Sequence, residues 1–393
     1  MRGGNRMIKL KQMMDNKFKD DTGLAVRAAK IKGINQPQKL YKFVSGEIKE
    51  IDNFKAMREV IEFIFRNNHE EVLTQYGNDL DPNKQFIRDA VEYASLFEKK
   101  EMTGVLLEKL KSSTNSKGNE WSYFYKLKEK SKGMSSSDIF KEITSYNFKT
   151  KEMPIFSNLM LMNAYLYETK YNSAEEMAEM TESLINELKD GYIKESYRKR
   201  LYAVKVSLTL RGGNHKKTEE LGKQALSIHE TSPVDIYILM NIGNAYIMHD
   251  YDVAMSYFER AVSLANEFKD DIRLVQVKNS IDFCMCYWKK YSHNGEEINQ
   301  EDYSDYNKAF YYISVGNNEV AEKCLESIDY GNMDDVDKAF YYFYKGLLTK
   351  EKHDFYKSIK HFKITGDKNY RQMPIIELKK LGEDDILIEV LSA

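Results

Sequence analysis

Gln36, Gln38 and Lys39 stand together at the start of a predicted helix. These residue types read base edges: Gln makes a bidentate contact with adenine, and Lys contacts guanine. Lys30, Lys32 and Lys42 flank them and suit phosphates, which position a duplex rather than specify it. Asn35, in the turn before the helix, joins this candidate DNA-contacting set. A second set lies some two hundred residues further on. Asn241 and Asn244 share one helical segment, and Arg211 ends another. An Asn amide satisfies both the donor and the acceptor of a peptide backbone. Both sets suit recognition rather than bond breaking. No Walker loop, GxGxxG, HExxH or GxSxG occurs. The seven histidines are scattered, none at metal-ligand spacing from Cys, Asp or Glu. His361 reads as a surface or packing residue. Cys284 and Cys286 point to different helix faces, and with Cys324 they read as free thiols of a reducing cytosol. Asp270-Asp271, Asp334-Asp335 and Glu383-Asp384-Asp385 fall near predicted helix starts, where negative charge is favoured. The chain is therefore expected to be no enzyme and to carry no metal or cofactor.

The elements that must position these residues are helices. Among 393 residues there are only five prolines, and few alternating β-branched runs occur. Residues 8–19 and 22–32 read as helices, and Gly33 breaks the second. A third begins at Pro37, where the first turn tolerates a missing N–H, carries Leu40, Tyr41 and Phe43, and stops at Gly46. Helix, Gly-centred turn, helix is the helix-turn-helix pattern, and Ala29-x-x-x-Gly33 supplies its small residue and its turn glycine. Residues 1–50 hold 12 Lys and Arg against 5 Asp and Glu, an excess of +7, which leaves −9 on the rest of the chain. A basic head on an acidic body points to an anionic partner such as DNA. Residues 1–6 look unlike the rest of the chain, and Met7 is a candidate natural start.

Beyond residue 53 the spacing predicts helix pairs: 53–67 with 70–77, 84–98 with 100–112, 119–131 with 136–146, and 155–169 with 173–188. The series continues as 192–211 with 215–229, 234–248 with 252–267, 271–290, 302–315 with 317–328, 335–349 with 353–364, and 369–381 with 384–391. The segment Lys308-Ala-Phe-Tyr-Tyr312 returns letter for letter as Lys338-Ala-Phe-Tyr-Tyr342. Self-similarity at such a period marks a solenoid, whose repeats bury their apolar faces only by stacking. The clearest tetratricopeptide-like unit is 236–262: Ile242, Gly243 and Tyr246 on its first helix, then Ala254, Phe258 and Ala261 on its second. Ala321, Leu325 and Ile328 repeat the second-helix spacing. The final helix is apolar nearly all round (Ile386, Leu387, Ile388, Val390 and Leu391), so it must be buried. It is expected to cap the last repeat, to pack on the same helix of a second subunit, or both. No apolar run approaches a membrane span, and the start lacks the apolar stretch of a signal peptide, so none is expected.

The expected fold is all-α: a helix-turn-helix domain over 1–50, a right-handed solenoid of divergent tetratricopeptide-like helix pairs over 51–383, and a capping or dimerisation helix over 384–393.

The chain also resembles a known family, the arbitrium receptors (AimR) of temperate Bacillus phages, within the Gram-positive peptide-sensing regulators. Gly33-x-x-x-Pro37-x-x-Leu40-Tyr41-x-Phe43 carries the resemblance in the head. Arg88-x-Ala90-x-Glu92-Tyr93-Ala94, Met153-x-x-Phe156-Ser157-x-Leu159-x-Leu161 and Ile242-Gly243-Asn244 carry it in the body. In the tail it rests on Phe355-Tyr356-x-Ser358-Ile359, Asp367-Lys368, Pro374 and Glu377-Leu378-x-Lys380-x-Gly382-Glu383. The matches run in order along nearly the whole chain. The resemblance implies a homodimeric DNA-binding regulator of the lysis–lysogeny decision in the bacterial cytoplasm, inhibited by a short imported peptide. It places Asn244 and Asp367 among peptide-binding residues, with Asp367 expected to pair with an Arg of the peptide. Where a family member has peptide-contacting Asn, Arg or Gln, this chain has Ser207, Arg211, Pro233, Tyr306 and Val336. The competing reading is a peptide-regulated solenoid of the phosphatase or response-regulator-sequestering kind, without specific DNA binding. A plain scaffold that holds protein tails is a third.

Overall fold

The computed structural model describes residues 4–228, 230–290 and 305–392, the side chains of 4–9, 305 and 306 excepted. The described residues are helical and contain no strand. They divide into two compact units: Met1–Leu161 with Ser183–Tyr197, and Met162–Glu182 with Arg198–Ala393.

The first unit begins with α1 (Gly4–Asp20), α2 (Leu24–Ala28) and α3 (Pro37–Val44). Leu10, Met14 and Phe18 of α1 are buried, as are Ala25 and Ala28 of α2 and Leu40 and Phe43 of α3. The helix expected over 22–32 stops at Ala28. Tighter turns replace it, the Lys30 N–H reaching the Arg27 carbonyl and the Ile31 N–H that of Ala28, and the chain then turns left-handed at Gly33 (φ +101°) and Asn35 (φ +66°), which excludes any further helix. Gly33 is required twice over, since an added Cβ would also lie 2.6 Å from Asn53 Nδ2. Pro37 opens α3 after an extended Gln36, as its ring demands.

The first unit goes on with α4 (Phe54–Ile64), α5 (His69–Gly77), α6 (Gln85–Leu96), α7 (Lys100–Lys111), α8 (Ser116–Lys130), α9 (Ser136–Thr144) and the start of α10 (Glu152–Tyr167), and takes in the chain again over Ser183–Tyr197. Trp121 stacks on Tyr125, and Tyr125 on Phe156. Within this core the fully buried Glu92 accepts hydrogen bonds from the hydroxyls of Tyr125 and Ser196.

The second unit runs through α11 (Tyr171–Asn186), α12 (Tyr192–Arg211), α13 (His215–Ser227), α14 (Val234–Tyr246), α15 (Tyr251–Phe268) and α16 (Asp271–Tyr287). It continues with α17 (Asp305–Ser314), α18 (Asn318–Glu326), α19 (Asp335–Thr349), α20 (Lys352–Thr365), α21 (Gln372–Lys380) and α22 (Asp385–Ser392). The division between units falls within α10, α11 and α12. The 236–262 repeat packs as its spacing requires: Ile242, Ala254, Phe258 and Ala261 are fully buried in one core. Gly243 lets α14 and α15 touch, because a Cβ there would sit 2.5 Å from Phe258 Cε1. Gly243→Ala is expected to destabilise the second unit by about 1–3 kcal/mol, the usual cost of overpacking. Urea unfolding checks it, and an unshifted midpoint refutes it.

The duplicated pentapeptide falls on α17 and α19, with Ala309 and Ala339 both fully buried. The acidic pairs cap helices: Asp270 accepts from the Arg273 N–H, Asp334 from that of Asp337, and Asp384 from those of Ile386 and Leu387. Cys284 and Cys286 are buried free thiols, and Cys324 is partly buried. His361 pairs with Asp335 at 2.7 Å and stacks on Tyr342.

Candidate functional site

Three surfaces carry the residues singled out from the sequence. The first is α3 and the turn before it. Lys30, Lys32, Asn35, Gln36, Gln38 and Lys42 are exposed, and Lys42 pairs with Glu47 at 2.8 Å. Asn35 accepts from the Gly33 N–H, so its side chain helps to fold the turn. Lys39 is partly buried, and its ammonium donates to the Gly33 carbonyl at 3.1 Å. That bond ties α3 to the turn and leaves Gln36 and Gln38 as the exposed polar groups of the helix start. Val26 of α2 and Tyr41 of α3 are apolar side chains left 52% and 45% exposed.

The second is a cavity of about 320 Å³ within the second unit, lined by Arg211, Asn244, Ile247, Asn279, Ser280, Phe283, Asn307, Val336, Asp337, Phe340, Tyr344 and Tyr370. The helical period builds it. Asn244 and Ile247 belong to α14 and the residue that ends it, and Asn279, Ser280 and Phe283 fall along α16. Asn307 is on α17, and Val336, Asp337, Phe340 and Tyr344 are on α19. The first helices of consecutive pairs thus contribute one wall each. Asn244 is only 9% exposed, and its Oδ1 has no hydrogen-bond partner. A buried acceptor left without a donor costs about 1–3 kcal/mol, so the cavity is prepared for an N–H.

Arg211 and Asp367 meet at this cavity. The Arg211 guanidinium donates to Asp367 Oδ2, and Asp367 Oδ1 accepts the Tyr370 N–H at 2.9 Å. The Lys368 N–H donates to the Arg211 carbonyl at 2.8 Å. The end of α12 is therefore clasped to the loop between α20 and α21. Burial opposes the charge on Arg211, but the Asp367 carboxylate overrides it and holds the guanidinium pKa above its ordinary value. Burial, eased by Arg211, also raises the Tyr370 phenol. The cation that Asp367 was expected to take from a peptide is here supplied by the chain itself.

Asn241 does not line the cavity; its amide donates to the Ser207 hydroxyl at 2.8 Å. Pro233 precedes α14 at its N-terminus, away from the lining, whereas Val336 is part of it. Tyr306 lies in α17, and its side chain is outside the described residues. Sequence reading passed over Asn279, Asn307 and Asp337. The signal for the two asparagines was the recurrence of Asn on successive first helices, visible only once the pairs are in register; Asp337 gave none.

The third surface is α22. Ile388 is buried and Leu391 partly so, against the core of the last helices. Ile386 and Val390 are 74% and 59% exposed, and Leu387 is 37% exposed. The helix thus caps the last repeat with one face and leaves its other apolar face open in the single chain. Among the described residues there is no group of three or more metal-binding side chains, and no helix is long and apolar enough to cross a membrane.

Comparison with known proteins places the chain as a whole. Residues 69–380 match the family model for AimR transcriptional regulator-like proteins. The AimR transcriptional regulator of Bacillus phage phi3T is 30% identical over 386 residues, 97% of this chain and 100% of that one. The structure of SeMet-phAimR superposes with a TM-score of 0.78 at 30% identity, covering 98% of this chain and all of that one. A second solved structure, phAimR-Ligand, gives a TM-score of 0.72 at 29% identity over 85% and 98%.

Proposed function

This chain belongs to the AimR transcriptional regulator-like family, and from that premise we propose that it binds operator DNA as a dimer and is inhibited by a short imported peptide. In this reading residues 1–50 read DNA, 51–383 sense the peptide, and 384–393 hold two subunits together. The decision it governs is phage lysis against lysogeny, taken in the host cytoplasm.

The observation that carries the proposal is the cavity wall: a nine-tenths buried Asn244 with an unpartnered acceptor, in a lining to which Arg211 also belongs. Such a wall suits the alternating donors and acceptors of a peptide backbone. Gln36 and Gln38, exposed at the start of α3, support the DNA-reading half. The open face of α22 supports an isologous contact. The loop that carries Asp367 also carries Arg371, whose guanidinium donates to the Ser392 carbonyl at the end of α22. One loop therefore touches both the cavity and the proposed dimer helix. Peptide works as a population shift, limited by its differential affinity for the two conformations.

The test is binding of the peptide encoded beside the operator. Asn244→Ala is expected to weaken it about tenfold, the worth of one buried hydrogen bond. Asp367→Ala breaks the clasp and is expected to weaken the peptide as well, with DNA affinity in its absence retained. Unchanged peptide affinity in both variants would remove the cavity as the receptor site.

A further inference from the structure

We propose that Tyr41 reads a thymine methyl in the major groove and so fixes a T·A pair of the operator close to the pair that Gln38 reads; the proposal rests on the DNA-reading half of the function above. The pattern of α3 carries it. Leu40 and Phe43 are buried in the head, and Lys39 is tied to the turn. Gln38, Tyr41, Lys42 and Ser45 are the exposed residues of the helix and its C-cap. Their spacing, i, i+3, i+4 and i+7, sets them in one stripe along the helix.

Three of the four are polar, and two of those are engaged within the head. Lys42 pairs with Glu47, and the Ser45 hydroxyl donates to the Lys42 carbonyl. Tyr41 is the exception. It leaves an apolar ring 45% exposed in the middle of a stripe that otherwise suits polar base edges and phosphates. The ring is not loose. It packs edge-on to Phe18 of α1, with centroids 5.6 Å apart and planes at 67°, and Phe18 is itself buried. A side chain already held in place loses little freedom on binding.

The partner follows from chemistry. Residues 1–50 hold 12 Lys and Arg against 5 Asp and Glu, a balance that suits the phosphates on either side of a groove. Within the major groove the base edges are hydrogen-bond donors and acceptors, and the one apolar group is the C5-methyl of thymine. A half-exposed ring on a basic reading helix therefore matches thymine rather than the polar edges of guanine or cytosine. The position follows as well. Three residues advance about 4.5 Å along a helix, and a base-pair step is about 3.4 Å. The thymine thus lies one or two steps from the pair that meets Gln38.

The experiment uses the full chain and a pool of randomised duplexes. The duplex that wild type enriches is remade with deoxyuridine in place of thymidine, one position at a time, which removes only the methyl. Wild type, Tyr41→Phe and Tyr41→Ser are titrated by fluorescence anisotropy, and thermal melting confirms that each variant is folded. The ratio of thymine to uracil affinity is internal to each protein, so a partly unfolded variant does not distort it. The expected result is one position per half-site, one or two steps from an adenine, at which wild type loses about fourfold, the scale of one buried methyl group. Tyr41→Phe keeps that loss, and Tyr41→Ser shows none there. No such position in wild type, or a loss that survives in Tyr41→Ser, overturns the proposal and leaves DNA reading by α3 standing. Weaker binding by Tyr41→Phe to thymine and uracil duplexes alike assigns the hydroxyl to a phosphate and also overturns it. No enriched sequence overturns both.

Discussion

Replacing Gln38 and Lys39 together by Ala is expected to abolish sequence-specific operator binding while leaving the dimer intact. Each good base contact discriminates by about 1–3 kcal/mol, so losing the one proposed for Gln38 costs roughly one to two orders of magnitude in affinity for the operator, and a loosened turn adds to that. The structure divides the roles. Gln38 is exposed at the start of α3 and has no part in folding the head. The Lys39 ammonium holds the Gly33 carbonyl, so its loss also loosens the turn that aims the helix. Gln38→Ala alone therefore separates reading from folding: it is expected to lower specific affinity and leave salt-dependent nonspecific binding untouched. Fluorescence anisotropy on operator and scrambled duplexes, with mass in solution measured alongside, checks both. Retained specific affinity in the double variant would remove α3 as the reader.

Removal of residues 384–393 is expected to give monomers and operator binding weaker by about 10²–10⁴-fold, the scale of lost bivalency. The truncation has a second effect that must be separated from the first. It uncovers the core against which Ile388 packs and takes away the Ser392 carbonyl that Arg371 holds. A double substitution on the open face, Ile386→Glu with Val390→Glu, leaves those contacts in place. It is expected to give the same monomers with an unchanged melting temperature. A dimeric mass for both proteins would refute the dimer-helix proposal. Monomers from the truncation alone would show that α22 acts only as a cap.

Much of the fold was legible because the chain signals its helices strongly. The helix predicted over 192–211 is α12 itself, and 335–349 is α19. The repeat spacing of Ile242, Gly243, Ala254 and Phe258 translates directly into buried contacts. The second helix of the head was read too long because Ala29 to Lys32 have ordinary helical propensity. The chain instead leaves the helix after Ala28 in tighter turns and turns left-handed at Gly33 and Asn35, of which only the glycine is conspicuous in sequence. The last helix was read as buried on the last repeat, against a second subunit, or both, because its apolar residues surround it. Its structure shows one face packed and Ile386 and Val390 open, a distinction composition does not make.

The candidate site was half legible. Arg211 and Asn244 stand at the cavity as residues of the expected types. That Arg211 and Asp367 satisfy each other could not be read from two residues 156 positions apart. Nor could Asp337, which in sequence is one more acid at a helix start. Ion pairing across a solenoid depends on which turn each helix presents, and that is fixed by packing rather than by local pattern.

The most direct measurement is recovery of bound DNA across the genome of a host carrying the phage, followed by titration of the purified protein on the strongest site with and without the peptide encoded beside it. The expected result is one dominant site next to a short open reading frame for a secreted peptide, bound by a dimer and released by that peptide. No enriched site, with only salt-sensitive nonspecific binding, would contradict the regulator reading and favour a solenoid that binds other proteins.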